Sequence, residues 1–305
     1  MMQKESARAL LRRKESRSAV VAGAILITVI FLAGPAFPAD LKPETIQASD
    51  EYLQAAKFRN RQHLAEGAAF LDIGASEDSR LRRGEILVFP AGPRVPLKVP
   101  HGLIHDWKGA IFLPNATIGD LLRVTRDYGQ YPVTYHPTVV SATALETGEW
   151  EDRFSMVVMN KSFFARSALD GEYHTKFIRV CDHQWYSVTE VSRMQEILEY
   201  GEISEHLLPE GRGTGMIWRL FSIARYEECD RGVFIELEAI ALSRDIPVGL
   251  RLFIEPIVRR VSRSSIGTSL RQTADAVRSG TTAINYGAEG SRCPGKQLSR
   301  AGPPR

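Results

Sequence analysis

Six strand-like runs follow one another almost without interruption, near residues 138–147, 153–164, 169–180, 185–197, 215–227 and 232–243. Turn chemistry marks the gaps: Thr147-Gly148, Asp170-Gly171, Cys181-Asp182 and Asp230-Arg231-Gly232. Connections this short force neighbouring strands to run antiparallel, because a parallel crossover needs a dozen residues or more. Two of the runs alternate. Val233, Ile235, Leu237, Ala239 and Ala241 fall opposite Glu236 and Glu238; Trp218, Leu220, Ala224 and Tyr226 fall opposite Arg219, Arg225 and Glu227. The expectation is a sheet with one covered face and one solvated face.

The elements on either side of these runs supply the cover. Residues 103–113 (LIHDWKGAIFL) read as a further strand ending at Pro114, and 84–89 (GEILVF) as a short one. Thr117 with Asp120 three residues on forms a capping-box pattern. It opens a helix whose Ile118, Leu121, Leu122, Thr125 and Tyr128 share a face. The next stretch, GQYPVTYHP, holds two prolines and carries little regular helix. Beyond Pro247, apolar residues recur at Leu250, Phe253, Ile254, Ile257 and Val261, then at Ile266, Leu270, Ala274 and Val277. This periodicity predicts a long amphipathic helix, broken near Pro256 and near Ser262–Ser264. Residues 42–66 predict a helix of mixed charge and thin apolar stripe, and the Pro-rich PAGPRVPLKVP that follows 84–89 reads as a linker. The last residues, 280–305, have no periodicity and read as disordered.

The amino terminus reads as an export signal. Basic residues up to Arg17 precede an uncharged run from Ala19 to Ala33, then Gly34-Pro35 and small residues to Ala39. At ~1.5 Å per residue such a run spans ~22 Å, short of a ~30 Å hydrocarbon core. Cleavage near residue 39 and a periplasmic or secreted mature protein are expected; if the segment is retained, it brings the protein close to a membrane. Residues 1–39 hold six Lys/Arg and two Glu, and residues 280–305 hold four and one. Both flanks are therefore basic, and residues 40–279 carry a net charge of −4. That balance argues against nucleic acid as a partner. Of the three cysteines, none forms a CxxC or zinc spacing; in an exported chain Cys181 and Cys229 are open to a bridge or to remaining thiols.

The stretch LPNATIGDLLRVTRDYGQYPVTYHPTVVSATAL (113–145) and the run ECDRGVFIELEAIALSRDIPVGLRLFIEPIVRRVSRSSIGTSLRQT carry a family resemblance. They resemble, respectively, the first helix and return strand, and the last hairpin and helix, of the START-like (SRPBCC) superfamily. The likeness implies an α+β helix-grip fold over 101–279, a curved antiparallel sheet of about seven strands around the long carboxy-terminal helix. Residues 40–100 are then an amino-terminal extension. It also implies a hydrophobic cavity between sheet and helix for a lipid or other apolar small molecule. By position, Trp107, Tyr131, Tyr135, Met156, Trp218, Leu220, Leu237 and Phe253 line it; plain core packing is the alternative for each.

Catalytic chemistry has little support in the residues. His101 and His105 flank a strand, where four residues span ~13 Å, too far to share a metal. No HExxH and no GxSxG is present, and GRGTG (211–215) precedes a strand and lacks a P-loop lysine. No cofactor motif is found. His136 and Asp127 are the acid–base candidates if the cavity served a cyclase- or dehydrase-like enzyme. A non-catalytic interaction domain with a filled core is the third reading.

Overall fold

The computed structural model describes residues 39–65, 67–160 and 167–280; the segment read as an export signal, up to residue 38, and the tail beyond residue 280 lie outside them. Helix α1 (Pro43–His63) and the short α2 (Ala75–Arg82) come first, after the two-residue strand β1 (Ala39–Asp40). Strands β2 (Leu87–Pro90), β3 (Leu97–Val99) and β4 (Gly102–Pro114) lead to α3 (Ile118–Thr125), a 3-10 turn and α4 (Tyr131–Thr134). The meander β5 (Val139–Thr147), β6 (Glu151–Asn160), β7 (Ser167–Cys181) and β8 (Gln184–Leu198) follows. Two-residue strands β9 (His206–Leu207) and β10 (Arg212–Gly213) precede β11 (Arg219–Cys229), β12 (Gly232–Arg244) and the long α5 (Arg251–Gly280).

The main sheet has ten strands in the order β2-β4-β12-β11-β8-β7-β6-β5, with β3 also on β4 and β9 on β8. All its pairings are antiparallel, and the Thr117/Asp120 capping box opens α3 as expected. Together with α5 against its concave face this is a helix-grip α+β fold. Three local expectations are corrected. The Pro-rich stretch contains β3, because Leu97–Val99 lies between its prolines and pairs with Gly102–Ile104 of β4. Asp170-Gly171 is not a turn but lies inside β7, where a Cβ on Gly171 would sit 2.8 Å from the Tyr173 ring. Helix α5 runs unbroken through Pro256, which lies in its second turn. Of the two readings left open for Cys229 the structure takes one: it is a free thiol and forms no bridge with Cys181.

The carboxy-terminal half of α5 is pressed directly onto the sheet. Ile266, Leu270, Ala274 and Val277 are buried against Trp107, Ile111, Val233 and Ile235. Gly109 of β4 makes this approach possible, since a Cβ there would stand 2.4 Å from Ile266 Cγ2 and 2.8 Å from Leu270 Cδ1. Gly109→Ala is expected to lower stability by about 1–3 kcal/mol through overpacking. Urea unfolding checks this, and an unchanged midpoint would contradict the close seating of α5.

The opposite face of the sheet is not solvated, which corrects the reading of Glu236 and Glu238 as a wet face. Both are buried, at 1% and 3% exposure, and Arg225 is buried at 1%. Helices α1 and α2 and the loop between them lie over this face. Ala56 of α1 packs with Ile104, Phe221, Ile223 and Ile240, while Leu81 of α2 packs with Phe112 and Phe234. The charges caught beneath are paired. Arg225 bonds Glu236 and, at 3.0 Å, Asn60 Oδ1; Glu236 Oε2 also accepts from the Asp72 backbone N–H at 2.7 Å. Lys108 bonds Asp72, and Arg59 reaches Glu238 Oε1 at 3.0 Å and Asp106 Oδ2 at 3.3 Å. Tyr52 donates its hydroxyl to Asp106 Oδ2 at 2.7 Å.

Candidate functional site

The concave face beyond the seated half of α5 is the candidate site. Its alternation is inverted relative to the usual soluble sheet. On β11 and β12, the outward residues Phe221, Ile223, Arg225, Glu236, Glu238 and Ile240 are buried. The concave residues Leu220, Ser222, Ala224, Leu237, Ala239 and Ala241 are only half-buried. Two causes combine. The amino-terminal extension roofs the outer face, while the first half of α5 does not descend onto the concave one: its Leu252, Phe253, Ile257 and Val261 are exposed. What remains along β11 and β12 is a strip of half-buried, mostly apolar side chains, a shallow trough rather than an enclosed cavity.

An aromatic cluster closes one end. Tyr128 stacks on Phe154 (4.2 Å between centroids), Phe154 stacks on Tyr173 (5.0 Å), and Tyr131 meets Tyr135 edge-on (4.9 Å). Met156, Val191 and Leu220 pack against this cluster. Behind it, Asp152 is fixed by Arg126 Nε at 2.9 Å and by the Tyr128 hydroxyl at 2.8 Å. The phenols around the concave side are matched to neighbours: Tyr135 with Thr273 Oγ1 at 3.0 Å, Tyr131 with the Thr125 carbonyl at 2.6 Å, Tyr226 with Ser187 Oγ at 2.8 Å. Burial pushes the Tyr226 hydroxyl up to about 12 and raises Tyr131 and Tyr135 as well. Phenols so placed stay protonated at neutral pH and are not general bases.

The eight candidates divide accordingly. Tyr131, Met156 and Leu220 stand together around the aromatic cluster, and Tyr135 joins it through its ring contact with Tyr131. Leu237 and Trp107 belong to the concave core beside α5; the Trp107 indole Nε1 is buried with no hydrogen-bond partner among the described residues. Two candidates lie elsewhere. Trp218 precedes β11, escapes its alternation and packs on the outer face with Phe221 and Leu242. Phe253 is 65% exposed, because α5 reaches the sheet only further along. The positional reading missed Ala224, Ala239, Tyr173 and Val191; their alternation was visible, but not that the concave face stays open.

The acid–base candidates do not converge on the trough. His136 and Asp127 are both exposed, and His136 engages α5 through its backbone carbonyl, which accepts from Gln272 at 2.7 Å. His101 is exposed beside Glu44 at 3.2 Å, whereas His105 is buried and bonded to Ser243 at 2.9 Å. Among the described residues no group of three His, Cys, Asp or Glu is placed to hold a metal ion.

No protein-family model and no curated protein matches the chain. Among solved structures it is similar to a STAR-related lipid transfer protein fragment from Xanthomonas axonopodis, at 16% identity, 63% coverage of this chain, 98% of that one and a TM-score of 0.43. It is also similar to human STARD10 (8% identity, 72% and 85% coverage, TM-score 0.41). A third is the Zhui aromatase/cyclase from Streptomyces sp. R1128 (9% identity, 59% and 94% coverage, TM-score 0.38). The sheet order and the seating of α5 define the fold on their own: it is a helix-grip α+β fold with an added amino-terminal roof.

Proposed function

We propose that the protein is an exported binding or carrier protein for a lipid or other apolar small molecule held on the concave face of the sheet. The observation that carries this reading is the inverted exposure of β11 and β12. Half-buried Leu237, Ala239, Leu220 and Ala224 line an apolar surface whose outward neighbours are fully buried, the charged Arg225, Glu236 and Glu238 among them. Water against such a surface is released when an apolar ligand covers it, at about 25 cal/mol per Å2. The unpartnered Trp107 indole N–H adds a donor for an oxygen on such a ligand.

Native mass spectrometry of the protein from its own host tests both halves of the proposal. A mass beginning near Asp40 with an organic-extractable adduct is expected; a chain retaining residues 1–39, or one free of adduct, counts against the corresponding half. With an apolar fluorescent probe, Leu237→Asp is expected to weaken binding roughly tenfold or more, from about 1.5–3 kcal/mol of lost apolar contact. Phe253→Ser, outside the trough, is expected to leave it unchanged. Equal losses in the two variants would place the probe elsewhere.

A further inference from the structure

A second hollow, of about 300 Å3, lies outside the grip, where α5 passes the edge strand β2. Ile86 and Val88 form its apolar floor with Gly267 of α5, whose Cβ, if present, would stand 3.6 Å from Val88 Cγ2. The rim is cationic. Arg260, Arg263 and Arg271 line it, all exposed, and none has an ion-pair partner among the described residues. Their helix neighbours differ: Arg259 pairs with Glu255 and Arg278 with Asp275. Glu85, next to the floor, is already held by Arg80 and Arg83. Ser264 and Thr268, one turn apart, place two hydroxyls between the arginines.

Three guanidiniums along about 16 Å of one helix stripe repel one another unless an anion lies between them. Their planar forks match phosphate oxygens, and the hydroxyls add donors at the same face. We propose that this groove is a binding site for a phosphate group, with Arg260, Arg263 and Arg271 neutralising it and Ser264 and Thr268 donating to its oxygens. The site is separate from the trough and does not depend on it. Two sources supply the same chemistry, a phospholipid headgroup or a free phosphate. Towards the amino end of α5 the exposed residues become apolar at steps of four, Val261, Ile257 and Phe253, and a phospholipid surface would engage these as well.

The test uses the intact protein, its Arg260→Gln/Arg263→Gln/Arg271→Gln variant, and an Arg153→Gln/Lys176→Gln/Arg212→Gln control of equal charge at other exposed sites. A further variant, Gly267→Leu, fills the floor without changing charge. Flotation with phosphatidylglycerol or phosphatidylcholine vesicles reads the headgroup source; amide shifts of Ser264 and Thr268 on titrating inorganic phosphate read the soluble source. Three lost arginines are expected to weaken binding roughly 100-fold, and the control far less. Binding to phosphatidylglycerol alone assigns a headgroup, and saturable phosphate shifts without vesicle binding assign a soluble phosphate. The proposal is overturned if neither probe binds, if the control loses as much as the groove variant, or if Gly267→Leu binds like the parent.

Discussion

Arg225→Ala is expected to destabilise the protein by about 3–5 kcal/mol, the cost of leaving a buried carboxylate without its partner. The Arg225 and Glu236 side chains are 2% and 0% exposed, and removing the guanidinium strands Glu236 and Asn60 together. Burial already pushes the Glu236 carboxyl above its ordinary value, against the opposing pull of Arg225, so the loss acts on a charge held in place by that pairing. The double variant Arg225→Met/Glu236→Leu is expected to recover most of the loss, since an apolar pair needs no compensation. Urea unfolding of the three proteins measures both effects. A single-variant cost below about 1 kcal/mol, the range of exposed pairs, would mean that the amino-terminal roof does not bury this network.

A second large effect concerns pH, where two adjacent residues act with opposite sign. His105 is buried, and burial pushes its pKa down to about 4 despite the nearby Glu255. Between about 4 and 6.5 the unfolded chain binds a proton there and the folded one does not. Stability from this residue is therefore complete above 6.5 and lost as pH falls, by about 3 kcal/mol at about 1.4 kcal/mol per unit. Asp106 points to the other face. Burial, aided by Glu238, pushes its carboxyl up to about 7 against the pull of Tyr52, Arg59 and Lys108. Between 3.8 and about 7 the folded chain holds the extra proton, so this contribution is lost as pH rises. Measured against the parent, His105→Gln is expected to gain stability as pH falls from 7 to 4, and Asp106→Asn to lose it. Difference profiles that run parallel would refute the opposed burial of these two side chains.

The two faces also show how far the residues alone reach. The alternation Val233, Ile235, Leu237 against Glu236, Glu238 says correctly that these sets face opposite ways, because the side-chain period of a strand is local geometry. It does not say what lies over either face. The roof over the carboxylates is α1, which buries Thr45, Ser49, Ala56 and Asn60, so it presents no apolar stripe by which a sheet-covering helix is recognised. Its hold is polar and long-range, through contacts such as Arg59 to Glu238 and Asn60 to Arg225. Trp218 and Phe253 were misplaced for related reasons: one lies just before the strand whose alternation would have aimed it, the other on a helix turn that extends past the sheet.

By itself the sequence determined the antiparallel meander, the capped α3, the long closing helix and the absence of a recognisable catalytic motif, all consequences of short-range turn chemistry and periodicity. Only the tertiary structure decided which face is open. The full burial of Glu236 and Glu238 and the only partial burial of Leu237 and Ala239 depend on where α1 and the first half of α5 lie, more than a hundred residues from one another along the chain. Burial is a property of what covers a side chain, and no local pattern encodes that cover.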